Sequence, residues 1–492
     1  MPAQPPRAGT GDAPSLQVLT DEKKQLIHDA ALSLLMDPGI SVTTPEALEL
    51  LASAGCPVEG DVVRIPAQMV ERALDAAPKT WTLYDRKGQP AAELGEGRTF
   101  MGTGVTSLNY EDPLTGNVHD FTLEDIADVS RLTDALEHHH FLATPGVVRP
   151  TPDMPVELAN HYEFIAMISN TTKPLMLLTA DGPTLEDALE MASIVAGGDD
   201  ALREKPFVVA YLNSVTPFVM NVETLDKLLI CADRGIPAAV QSAPNIGATT
   251  PATIAGTVAM TSAETLAGLV IAQLRAPGTP YLAGSMPMVM DMRSGDVTAG
   301  GSPGFLAYLS GIEMARWWGL PQVAAGGSTD SKIPDEQATL EIAPTIFGDM
   351  LLGPDLCFDS GAMESGLTHS AVLMTIVDEI VEETEGIMAG VPVNDETLAL
   401  DVIREVGIGG HFLGSPHTLE HFRELWYPRL AEWRTRRLWE ADGATTFRER
   451  ARERTLELLA SHVPEPLDEA MVAAMHEVID RRRAKLPPED ED

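Results

Sequence analysis

The chain has 492 residues, of which 73 are acidic and 34 basic, for a formal net charge of −39. A surface this acidic repels polyphosphate, which argues against nucleic acid as a partner. With 44% hydrophobic residues and a mean hydropathy of −0.01, the chain carries enough apolar surface for a large core, which excludes intrinsic disorder for its bulk.

Residues 1–15, MPAQPPRAGTGDAPS, are rich in Pro and Gly and lack the apolar stretch of a signal peptide, so a disordered tail is expected there. No run approaches the roughly 18 apolar residues of a membrane span, and the default location is cytoplasmic. A small α+β cap is predicted over 16–97. Thr20 caps a helix with Leu26, Ile27, Ala30, Leu34 and Leu35 on one face, a second helix starts at Pro45, and Asp85 to Gly88 reads as a hairpin turn. Cys56, Cys231 and Cys357 are too far apart for a disulfide framework or a zinc ribbon and are expected to be buried.

Over 98–388 the runs RTFMGTGV, FLATPGVV, PLMLLTA, PFVVAYLN, PAAVQSAPN, PYLAGSM, PQVAAGGS and LCFDSGAM alternate with longer amphipathic stretches such as VELANHYEFIAMISN. The runs are bounded by Pro and Gly, and the stretches between them repeat their apolar positions every three or four residues. This pattern predicts an α/β fold, a (β/α)8 TIM barrel, with a doubly wound open sheet as the alternative. In a barrel the functional groups lie just after each strand. Asn109, Tyr110, Thr144, Asp181, Asn213, Gln241, Asn245, Ser285, Met286, Ser328 to Lys332 and Ser360 to Glu364 would then surround one mouth. Residues 389–492 read as a C-terminal helical extension packed on the barrel, through TLALDVIREVG, TLEHFRELWYPRLAEW and FRERARERTLELLASH.

The phosphate loop GxxxxGK[ST], a complete GxGxxG and HExxH are all absent. His138 to His140 are expected to cap carbonyls at a helix end, and His417 with His421 to form a packed or solvated pair. No metal site is expected. The densest polar cluster is GGSTDSKIPDEQATLE, residues 326–341, although Asp335 and Glu336 near a helix start also simply complement its dipole. A second cluster, FDSGAMESGLTHS, follows the eighth strand and offers Asp359, Ser360, Glu364 and His369.

With LTDEKKQLIHDAALSLL and HFLGSPHTLEHFRELWYPRL, these two clusters resemble the trimethylamine methyltransferase (MttB-type) superfamily over nearly the whole chain. The resemblance implies a (β/α)8 barrel that passes a methyl group from a methylamine to Co(I) of a separate, cognate corrinoid protein, with no tightly bound cofactor of its own. The founding branch carries pyrrolysine. This chain has standard residues only and resembles the branch whose characterised members demethylate glycine betaine and similar quaternary amines. A quaternary ammonium is already activated, so such an enzyme need only bind, desolvate and aim it. On this reading Asp330, Lys332, Glu364 and His369 are the catalytic candidates, with Asp330 or Glu364 facing the ammonium and His369 or Lys332 meeting a substrate carboxylate. Tyr110, Asn213, Gln241, Asn245, Ser328, Phe358 and Gln337 are the substrate-binding candidates, and Tyr211 and Phe218 join Tyr110 and Phe358 as possible cage aromatics. The expected partners are the corrinoid protein, a small amine and further copies of the chain in a homo-oligomer, with no nucleic acid and no membrane. Lys332 also leaves open a lyase or aldolase, and a non-catalytic quaternary-amine-binding protein is a third reading. The chain lacks a DxHxxG corrinoid signature.

Overall fold

The computed structural model describes Pro5, Arg7, Ala8 and residues 13–486. The expected tail lies partly outside the described residues. Within it, Ala8 is buried and its N–H donates to the Gly97 carbonyl at 2.9 Å, so this part of the segment packs on the barrel and is not a free tail.

All eight apolar runs form strands: β1 (Phe100–Thr103), β2 (Leu142–Ala143), β3 (Leu175–Leu177), β4 (Val208–Ser214), β5 (Ala238–Ser242), β6 (Tyr281–Ser285), β7 (Val323–Ala325) and β8 (Leu356–Ser360). Strands β2 to β6 form one parallel sheet, and β7, β8 and β1 form another. Parallel bridges at Gly102–Phe141 and Ala283–Gln322 join the two at both seams, which closes the ring of a barrel. A helix follows each strand: α1 (Leu123–Ala135), α2 (Val156–Asn170), α3 (Gly182–Ala196), α4 (Val222–Arg234), α5 (Ile254–Arg275), α6 (Ser302–Trp317), α7 (Glu336–Leu352) and α8 (Ala371–Met388). The barrel interior is filled by Phe100, Phe141, Met176, Val209, Tyr211, Leu282, Val323 and Phe358.

The N-terminal cap closes the other end of the barrel. Its hairpin, Trp81–Tyr84 with Pro90–Leu94, sends Leu83, Ala92 and Leu94 into the interior cluster. Asp355, just before β8, accepts from the N–H groups of Gln322 and Gly95 and ties the hairpin to two strands. The helix Asp21–Met36 is capped by Thr20 as expected, but its buried residues are Ile27, Ala31 and Leu35, and Leu26 is 64% exposed. This helix packs on α5, as do Pro45–Ser53 and Ala67–Ala76. That packing explains why α5 is apolar almost all round. Among the described residues it is the one helix long and apolar enough to cross a membrane, and most of it is buried in the protein.

In the extension, Phe447–Ser461 packs on α8 and α1, and Glu469–Arg483 on α3 and α2. The helix expected across TLEHFRELWYPRL is shorter than its apolar spacing suggests: Pro416–His421 is helical, and the chain then turns irregular before Pro428. None of residues 391–427 is buried, and Trp426, beside Gly386 of α8, is half-buried, so this half of the extension packs only lightly on its own barrel.

Candidate active site

Two small sheets stand on the C-terminal rim of the barrel. One pairs Asn109–Glu111 and Val118–Asp120 with Ala362–Met363 and Thr368–Ser370, and the other holds Asn245–Ile246, Met288–Met290 and Val297–Thr298. At this mouth opens a cavity of about 230 Å³. Its walls include the rings of Tyr211, Phe305 and Tyr308, the thioethers of Met286 and Met288, and the polar groups of Asn213, Ser328 and Asp359.

Asp359 is the one lining residue, among those described, with an ionisable carboxyl or a basic group. It is 7% exposed. Burial pushes its carboxyl up to about 7, against the Val105 N–H and the Ser328 hydroxyl, which favour the charged form. Its φ of 88° is left-handed, a conformation that costs a non-glycine residue roughly 1–3 kcal/mol and persists where the surroundings hold it. Two features supply that hold. Gly327, at φ 112°, brings the exit of β7 against β8 so closely that a Cβ would lie 3.2 Å from the Ser360 nitrogen. The next residue, Ser360, donates to His139 Nε2 at 2.7 Å, and His139 Nδ1 donates to Asp378 Oδ1 at 3.2 Å. Burial lowers His139 despite the opposing pull of Asp378, so the imidazole is neutral and relays one hydrogen bond to the next. The Asp378 carboxyl, although buried, is held below its usual range by His139 and His138. With no exposed surface on Ser360 or His139, this chain is a buried anchor for the end of β8.

The aromatic walls are fixed from behind. The Tyr211 hydroxyl donates to Gln241 at 2.6 Å, and its ring meets Phe358 edge-on at 5.4 Å. The Tyr308 hydroxyl donates to Asp349 Oδ2 at 3.0 Å, which also accepts from the Cys357 thiol at 3.1 Å. Burial pushes Asp349 up to about 7. A Cβ on Gly326 would lie 2.0 Å from Asp349 Oδ2, so this strand end requires glycine.

The sequence-predicted residues divide between the cavity and its surroundings. Asn213 and Ser328 line it, while Gln241 and Phe358 support Tyr211 one layer below. The structure does not bring the four catalytic candidates to the wall. Asp330 spends both carboxylate oxygens on the rim, accepting from Ala299 N–H at 2.8 Å, Gly300 N–H at 3.0 Å and the Ser365 hydroxyl at 2.7 Å. Lys332 is exposed and donates to the Asp330 carbonyl at 2.6 Å. Glu364 accepts from the Thr368 hydroxyl at 2.6 Å. His369 is fully buried against Met374 Sδ at 3.2 Å, and burial, with His139 nearby, drives it down to about 3, so it is neutral. Tyr110 is buried against Phe121, Asn245 binds Thr249 within its own loop, and Gln337 is exposed and donates to Glu341. Phe218, on the β4–α4 loop, donates its N–H to Glu264 of α5, away from the wall.

The trimethylamine methyltransferase (MTTB) family profile matches residues 3–487. The chain belongs to this family. As a member it is a methyltransferase. It is 33% identical over 469 residues to trimethylamine methyltransferase MttB of Desulfitobacterium hafniense, covering 94% of this chain and 93% of that protein. It is 32% identical to MttB1 of Methanosarcina acetivorans, with 95% of each chain covered. To the glycine betaine methyltransferase of Desulfitobacterium hafniense it is 31% identical, covering 97% of this chain and 99% of that one. In fold it is similar to the methyltransferase MtmB solved in complex with hydroxylamine, with a TM-score of 0.52 at 11% identity over 91% of this chain and 89% of that one.

Proposed function

We propose that this methyltransferase moves a methyl group from a small methylated ammonium, held in the mouth cavity, to Co(I) of a separate corrinoid protein. The observation that carries the reading is the cavity itself: one buried carboxyl, Asp359, facing a space walled by aromatic rings and thioethers. Such walls take N-methyl groups out of water and meet their positive charge with ring faces.

In this reaction the C–N bond to the transferred methyl breaks, its electron pair stays on nitrogen, and the nitrogen leaves as a neutral amine. The acceptor's Co(I) supplies the electron pair for the new bond to carbon. The residues of this chain bind, orient and exclude water. Asp359 balances the ammonium charge, Tyr211 and Tyr308 flank it with their hydroxyls committed to Gln241 and Asp349, and Met286 and Met288 keep the space dry. A space of about 230 Å³ holds a small amine and not a corrinoid macrocycle, which supports an acceptor presented from outside. The alternative of a lysine-dependent lyase or aldolase gains nothing from Lys332, which is exposed outside the cavity.

The test mixes the protein with a corrinoid protein reduced to Co(I) and a panel of trimethylamine, tetramethylammonium, choline and glycine betaine. The Co(I) spectrum should give way to that of the methylated acceptor with at least one donor, only when this protein is present. No conversion with any donor would overturn the reading.

A further inference from the structure

Resting on that reading, we propose that the cavity selects a methylated ammonium with no acid group and discriminates against betaines. The only formal charge on its described walls is Asp359. A betaine carries a carboxylate one short spacer from its nitrogen. Inside about 230 Å³ that carboxylate would lie close to Asp359, and two like charges at low dielectric repel. The groups that would neutralise it are turned elsewhere. His369 is buried against Met374, Lys332 donates to the Asp330 carbonyl, and Arg293 is 91% exposed and paired with Asp291. The hydroxyls of Tyr211 and Tyr308 already donate to Gln241 and Asp349.

Calorimetric titration of the whole protein with tetramethylammonium and with glycine betaine at pH 8, alongside methyl transfer from each, tests this. Tetramethylammonium should bind tighter by roughly tenfold or more. Equal or tighter binding of glycine betaine overturns the selectivity even if both are demethylated, as does failure of both to bind. Selective cation binding without methyl transfer from any donor would leave the selectivity standing and overturn the reaction instead.

The arm at 391–427 lies apart from the cavity. Its helices, Asp395–Leu398, Leu400–Val406 and Pro416–His421, have no buried residue and are too short to be stable alone. It exposes Ile408 fully, Leu413 at 88% and Val391, Leu419 and Leu425 at more than 70%. Both roots are fixed: Met388 at the end of α8 is buried, and the chain returns where Arg429, Leu430 and Ala431 donate their N–H groups to Glu379. The geometry points to a second copy of this chain as the arm's cover, in an isologous dimer. Because α8 starts at the mouth and runs back down the barrel, the arm leaves at the opposite rim, where a protein receiving a methyl group at the mouth would not cover it. Apolar side chains exposed together in this way are the mark of an interaction surface. On α7, the helix packed beside α8, Leu340 and Phe347 form a second exposed apolar stripe that can receive the partner's arm.

Light scattering during gel filtration of the full chain should give a dimer or a higher closed multiple that tightens with salt, because screening relieves repulsion between two chains of −39. The triple substitution Ile408→Asp, Leu413→Asp and Leu425→Asp should give a folded monomer, checked by circular dichroism. A monomeric wild-type protein at micromolar concentration, or an assembly that survives the triple substitution, would overturn the proposal.

Discussion

The loop leaving β7 places Asp330 where three donors from neighbouring loops meet its two oxygens, whereas the end of β8 places Asp359 in a buried wall, in a left-handed conformation, with its carboxyl pushed up to about 7. Both are aspartates at the mouth of the same barrel. One has spent its charge on architecture, clamping Ala299, Gly300 and Ser365, two of which line the cavity. The other accepts from the Val105 N–H and the Ser328 hydroxyl and lines the cavity. A dense run of polar residues can therefore mark how a rim is built, while a single buried carboxyl on a strained backbone is the group on which the proposed function rests.

Replacing each residue separates the two roles. Asp359→Asn should cost roughly 100-fold or more in methyl transfer, the scale of losing a buried electrostatic partner, with the fold intact by circular dichroism. Affinity for tetramethylammonium should fall by about tenfold per unit as pH drops well below 7. The sign follows because the cation requires the carboxylate, and below about 7 Asp359 holds a proton. The titration should vanish in Asp359→Asn. Asp330→Ala should loosen the rim and raise KM more than it lowers kcat, several-fold in total, as steady-state kinetics would read. His369→Ala should act on stability, by about 2–4 kcal/mol as for other large buried side chains, while turnover per folded molecule changes little. Lys332→Ala and Gln337→Ala should leave kcat/KM within about twofold, since both side chains are exposed and contact only their own loop or helix.

The barrel was legible because its strands are apolar runs framed by proline, as PFVVAYLN became Val208–Ser214 and PAAVQSAPN became Ala238–Ser242. The candidate site was legible only in part. Asn213 and Ser328 follow from the strand-end rule. Phe305 and Tyr308 do not, since they sit on α6, where helical periodicity assigns aromatics to a core and only the curvature of the barrel brings them over the mouth. Local polar density singles out Asp330 and Lys332, but it does not say whether a carboxylate's oxygens are already taken. In the extension, apolar spacing indicates helices packed on the barrel, which holds for Phe447–Ser461 and Glu469–Arg483 but not for residues 391–427, because spacing alone does not say which surface covers an apolar face.

The most direct test is a crystal structure of the protein with tetramethylammonium bound. The ligand should lie in the mouth cavity, against the Asp359 carboxylate and between the rings of Tyr211 and Tyr308. A ligand bound instead at the Asp330–Lys332 loop, with the cavity beside Asp359 filled only by water, would contradict the account.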